Sequence, residues 1–155
     1  MLTDREGKII NNMAFYHAGR MINEEWVTHR TGVHHLYSVD AGIEDTAGNA
    51  LVTSYAVRRP DGKWALLLIN KDRDNAHPVR IDFESGGATG HFSGAVRTVT
   101  FGSEQYVWHG ADPTAHADPD LPPVVSSVDA SAQTVFTLPK ASVTVLRGEV
   151  TGLTA

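Results

Sequence analysis

The period of the apolar positions changes at about residue 32. Before it, Phe15, Ala18, Gly19, Ile22 and Trp26 recur at helical spacing, with Ala14 and Met21 beside them, which is the stripe an amphipathic helix turns toward other apolar surface. Asn11 and Asn12 are suited to cap its start, and His29-Arg30-Thr31-Gly32 breaks it. The spacing predicts one helix over about residues 12–25, with Arg20, Asn23 and Glu24 on its wet side.

From Val33 onward the apolar residues fall into short β-rich runs separated by turn clusters, the texture of a sandwich or barrel. His34–Val39 reads as a first strand. Leu51–Arg59 and Trp64–Asn70 flank Pro60-Asp61-Gly62-Lys63, which is a hairpin signal. Ala65-Leu66-Leu67-Leu68-Ile69 is apolar throughout, so this strand should be covered on both faces, with the helix or a missing neighbour on the outside. Val79, Ile81 and Phe83 alternate with Arg80, Asp82 and Glu84, as in a strand with one wet face. Further strands are expected at Ala95–Phe101, Gln105–Trp108, Thr134–Leu138 and Ser142–Leu146, and His109–Pro123 reads as a long irregular loop. The expected fold is therefore all-β, a two-layer antiparallel sandwich of about eight strands with one N-terminal helix. Residues 1–32 form the helical segment and 33–155 the sandwich. Its core should hold Tyr55, Val57, Leu66, Leu68, Val79, Ile81, Phe83, Val143 and Val145.

Composition narrows the function. With 155 residues, 41% hydrophobic and 20% charged, one domain can bury a sizeable core without staples. Thirteen scattered basic residues against eighteen acidic ones give a net charge of −5, which offers no basic stripe to nucleic acid. The absence of cysteine removes disulfides and thiolate chemistry. No apolar run approaches the length of a membrane span. The charged start, Thr3-Asp4-Arg5-Glu6, is not a signal peptide, so the sequence gives no localisation.

Candidate chemistry is sparse. Among the eight histidines, His34 and His35 are adjacent and should point to opposite faces of a strand. The donors His109, Asp112, His116, Asp118 and Asp120 lack the alternation of a calcium loop and read as a rigid acidic loop, so neither a metal nor another cofactor is expected. Glycoside hydrolysis needs two facing carboxyls. Glu24 and Glu25 diverge on a helix, and Asp82 and Glu84 belong to a solvent-facing side, so no catalytic residues are assigned. Gly-x-Ser-x-Gly and phosphate-loop patterns are absent. Tyr106 and Trp108 lie two apart on one strand beside His109, a geometry suited to stacking a sugar ring.

Several stretches together resemble the C-terminal part of clan-A glycoside hydrolases, most nearly bacterial proteins of the family-39 β-xylosidase kind. They are Ala14–Val27, the hairpin Tyr55–Trp64 running into Leu68-Ile69-Asn70-Lys71-Asp72, Gln105–His109, Ala117-Asp118-Pro119-Asp120-Leu121-Pro122-Pro123, and Leu138-Pro139-Lys140-Ala141-Ser142-Val143-Thr144-Val145-Leu146-Arg147. The resemblance implies that residues 13–26 correspond to the last helix of a (β/α)8 barrel and the remainder to the sandwich appended to it. The barrel and its catalytic glutamates have no counterpart in this sequence. Phe15, Ile22 and Trp26 would then face a barrel or, without one, the sandwich or a second copy of the chain. Three functions follow: an accessory sandwich without catalytic residues, a stand-alone carbohydrate-binding module using Tyr106, Trp108 and His109, or a small glycoside hydrolase in its own right.

Overall fold

The computed structural model describes residues 2–111 and 113–153, with only the backbone of Leu2, Ile10 and Asn11. Two short strands, β1 (Leu2–Thr3) and β2 (Ile9–Asn11), pair as an N-terminal hairpin. Helix α1 (Ala14–Arg20) follows and continues as a π-helical segment over Met21–Trp26. The cap is Met13, without a side-chain hydrogen bond, and neither expected asparagine serves. Asn11 is held extended opposite Leu2, so the chain cannot turn helical until two residues later.

The helix sets its inner face with His17 and Met21, both buried. The wider π turn keeps Glu25, four residues on, in line with them. Val27 N–H closes that turn on the Ile22 carbonyl at 3.0 Å. Arg20, Asn23 and Glu24 are exposed, as expected.

The remaining strands are β3 (His35–Tyr37), β4 (Val52–Arg58), β5 (Trp64–Asn70), β6 (His77–Arg80), β7 (Phe83–Ser85), β8 (Ala88–Gly102), β9 (Tyr106–His109), β10 (His116–Asp120), β11 (Val124–Ala130), β12 (Val135–Leu138) and β13 (Ser142–Thr151). The main sheet runs β11-β8-β13-β5-β4-β3, with β7 added onto β8, while β6 and β12 form a second layer. Every pairing is antiparallel. The fold is thus the expected all-β sandwich, with more strands than eight among the described residues.

Register explains the all-apolar strand. Leu66 lies opposite Leu146 and Leu67 opposite Val145, so successive residues serve two cores. Between the layers, Leu66, Leu68, Val96 and Leu146 pack with Phe83, Phe92, Phe136 and Leu138. On the other face, Leu67, Val99, Phe101 and Val145 pack under Met21 of the helix. Burial on both faces, with the helix as outer cover, is what the sequence of β5 demands.

Three expectations need correction. Tyr55 is 49% exposed, because the helix lies over β5 and β13 and meets Tyr55 on β4 through Trp26, by a T-shaped ring contact and a hydrogen bond to its carbonyl. The strand expected from Val79 to Glu84 is two: the chain leaves β12 after Arg80 and joins β8 through Gly86-Gly87. Both glycines have positive φ, 57° and 83°, as a two-residue hairpin turn requires. Val79 and Ile81 are half-buried there, as is Val143 on β13, whereas Val57, Leu66, Leu68, Phe83 and Val145 are buried. The supposed irregular loop after His109 contains β10, folded back on β9. Its register slips between Ala117 and Asp120, where Pro119 has no N–H to offer a ladder. Among the described residues no helix is long and apolar enough to cross a membrane.

Candidate functional site

Two of the stretches that carry the family resemblance meet at one corner, and their chemistry there is structural. The buried Asn70 amide donates to the carbonyls of Asn75 at 3.1 Å, Leu138 at 3.3 Å and Pro139 at 2.9 Å. Its oxygen accepts from Asp72 N–H at 3.0 Å. Asp72 in turn accepts from the Asp74 and Asn75 amides at 2.9 and 3.0 Å and lies 3.0 Å from His77 Nε2. These bonds, the Asp74 amide foremost, hold its carboxyl down at about 2. Ala141 N–H bonds the Asp72 carbonyl at 2.7 Å, and Ser142 Oγ donates to Pro139 O at 2.6 Å. The corner locks the end of β5 to the turn before β13.

The candidate carboxylates do not face one another. Glu24 is paired with Arg20 at 2.7 Å on the exposed side of the helix. Glu25 points to the sheet, where Arg97 grips it with two bonds of 2.9 Å and Arg147 approaches at 3.1 Å. The Arg97 bond holds the Glu25 carboxyl below its usual value, and burial pushes the Arg147 guanidinium down. The buried Arg59 donates to the Glu25 carbonyl at 2.7 Å and pairs with Asp61 at 2.9 Å. Asp82 is paired with Arg80 at 2.9 Å. An acid held by its own arginine is poorly placed to transfer a proton to a ligand.

Of the expected contact residues on the helix, Phe15 is 66% and Ile22 38% exposed, whereas Trp26 packs on the sandwich. Trp26 also donates its indole N–H to Tyr55 O at 3.3 Å.

The residues expected to stack a sugar lie on the β9–β10 hairpin. Tyr106 is half-buried with its ring 6.0 Å from Phe101, and Trp108 stands opposite Ala117 with 38% exposure. His109 Nε2 lies 2.7 Å from Asp118 O, and its ring is 5.9 Å from His116. Asp112 falls outside the described residues. Among the described residues no three or more His, Asp or Glu gather as a metal set. His34 lies just before β3, its Nε2 accepting from Thr28 N–H at 3.1 Å, and His35, the first residue of β3, is exposed. His17 is buried against Phe101, 4.9 Å between rings, and its Nδ1 has no partner among the described residues. Burial pushes its pKa down, with Asp120 acting in the other direction.

One cleft brings two of the candidate carboxylates, Asp82 and Glu84, together with residues that the sequence did not mark as a site. Between the inner face of β4–β5 and the stretch from Val79 to Ser85, the layers diverge into an open cleft of about 1130 Å³. A line of rings runs from its rim into the core: Tyr37 to Trp64 at 4.7 Å, Trp64 to Phe83 at 5.1 Å, Phe83 to Phe92 at 5.1 Å and Phe92 to Phe136 at 6.2 Å. Tyr37, at the outer end, is 47% exposed. Arg58, Glu84 and Glu149 line the same cleft. The available signal was the period of two in Trp64, Leu66 and Leu68, which places Trp64 on the inner face at the end of its strand.

No protein-family model and no curated protein matches the chain. Among solved structures it is similar to the thermostable GH51 α-L-arabinofuranosidase from Thermotoga petrophila RKU-1, with 15% identity, 66% of this chain and 20% of that chain covered, and a TM-score of 0.44. It is similar also to an α-L-arabinofuranosidase from Thermotoga maritima, with 15% identity, 66% and 20% coverage and a TM-score of 0.43. A Paenibacillus polymyxa xyloglucanase of glycoside hydrolase family 44 matches with 13% identity, 64% and 16% coverage and a TM-score of 0.41. The chain spans about a fifth of the length of these structures.

Proposed function

We propose that this chain serves as the accessory β-sandwich of a glycoside hydrolase of the family-39 β-xylosidase kind, contributing no catalytic carboxylate and presenting its helix to a barrel or to a second copy. The observation that carries the reading is the division of labour on the helix. Its inner side is committed to the sandwich through Met21 and the Glu25–Arg97–Arg147 cluster, while Phe15 and Ile22 on the outer flank are only partly covered. A helix fixed rigidly on one side and apolar on the other is built to join two bodies. The resemblance of the quoted stretches supports a barrel as one such body, and of the candidate carboxylates Glu24, Glu25 and Asp82, though not Glu84, are paired with arginines, which supports a role without catalysis.

The test is an assay of the purified chain with nitrophenyl β-xyloside and β-glucoside. No turnover is expected. Hydrolysis that disappears on substituting a single acidic residue of this chain would overturn the proposal in favour of a small hydrolase.

A further inference from the structure

We propose that the cleft between the layers is a binding site for a neutral oligosaccharide, with the Tyr37–Trp64 ring pair as its stacking platform. The cleft lies on the inner face of β4–β5, across the sheet from the helix and away from the β9–β10 hairpin, so it is independent of the accessory role argued above.

The chemistry of the lining selects the ligand. Tyr37 and Trp64 offer apolar ring surface at the rim, which suits a ligand with a flat C–H face. Arg58 with Asp40, Glu84 and Glu149 brings both signs of charge to one space, and none of the four forms an ion pair among the described residues, whereas Arg80 and Asp82, which also line it, pair with each other. A guanidinium only donates and a carboxylate only accepts, whereas a hydroxyl does both. A polyhydroxylated, uncharged ligand therefore satisfies donor and acceptor groups together, while an anion is opposed by the three carboxylates and a cation by Arg58.

Size and shape agree. The volume of about 1130 Å³ lies somewhat above the roughly 300–1,000 Å³ typical of small-ligand sites, with room for more than one sugar ring. Its open side lets a chain continue into solvent. An added peptide strand is the less suitable occupant, because β3 and β6, whose free edges border the cleft, are only three and four residues long and give a short template for strand pairing.

Calorimetric titration of the purified chain with xylohexaose and with cellohexaose tests the assignment. Saturable binding with a Kd of about 1 mM or tighter is expected for at least one of them. Tyr37→Ala should weaken it tenfold or more, Arg58→Gln severalfold, and Tyr37→Phe, which keeps the ring, should bind nearly as well as the parent. Trp108→Ala should leave affinity unchanged. Circular dichroism and thermal midpoints of the variants confirm that each is folded, which is expected because Tyr37 and Arg58 are exposed. No binding of either sugar, or binding lost with Trp108→Ala and kept in Tyr37→Ala, would overturn the proposal.

Discussion

Arg97 holds Glu25 by both carboxylate oxygens across 72 residues of sequence. The bidentate pair, with Arg147 beside it at 3.1 Å, pins the last turn of the helix to the middle of the main sheet. Beside it, Met21, Trp26 and the Arg59 bond to the Glu25 carbonyl hold that end, and the outer flank takes its orientation from these contacts together.

Glu25→Gln should therefore cost about 1–2 kcal/mol, the range for hydrogen bonds to charged groups, discounted because Arg97 is partly exposed. The sign of the pH effect follows from the lowered carboxyl. Its contribution is complete above the ordinary 4.5 and is lost as pH falls through the depressed folded value. Denaturant unfolding at pH 7 and pH 3 should show a gap between parent and variant that shrinks in acid. A double-mutant cycle with Arg97→Met isolates the pair.

The corner at Asn70 makes a second prediction. Asn70→Ala leaves the buried Leu138 carbonyl without its donor and frees Asp72 N–H, so a loss of about 3 kcal/mol is expected. Asp72→Asn should act differently. The parent carboxyl is held at about 2 instead of 3.8, so its contribution is present above about pH 4 and disappears as pH falls toward 2. A thermal midpoint that declines between those limits in the parent, and less steeply in Asp72→Asn, is the expected result.

The elements legible in sequence are those in which one residue type carries one role. The Pro60-Asp61-Gly62 hairpin and the double-faced β5 fall where pattern places them, since turn chemistry and unbroken apolar character have few other outlets. Strand β11 escaped because Val124, Val125, Ser126 and Ser127 at the sheet margin are all exposed, so no alternation marks them. His17 was missed as part of the inner helix face because a histidine counts as polar in any periodicity. The cleft was not legible either: Tyr37 and Trp64 are 27 positions apart and become neighbours only through the β3–β4–β5 register, and a gap between layers leaves no trace in a single strand's pattern.

His17 supplies a test of that hidden face. Its imidazole is buried with an unpartnered Nδ1, and burial lowers its pKa from 6.5. The unfolded chain therefore takes up the proton first. Stability is undiminished above pH 6.5 and falls as pH drops from there through the lowered folded value. His17→Leu removes the titration, so its midpoint should stay flatter than the parent's between pH 7 and pH 5. Parallel declines in the two proteins would show that His17 is not buried as described.

The outer helix flank makes the last prediction. Large apolar side chains are each worth roughly 1.5–3 kcal/mol when fully buried, and Phe15 and Ile22 keep 66% and 38% of their surface in water. Covering such a patch is favourable, and in a solution of the purified chain a second copy would supply that cover. Sedimentation at micromolar concentration should show a dimer or larger species, and the double variant Phe15→Glu, Ile22→Glu should sediment as a monomer. Because neither side chain belongs to the packed cores, the variant should keep the parent's circular dichroism and lose less than about 1 kcal/mol of stability. A parent that is monomeric across the concentration range would remove self-association, and a variant that unfolds would mean that the flank is packed within its own domain.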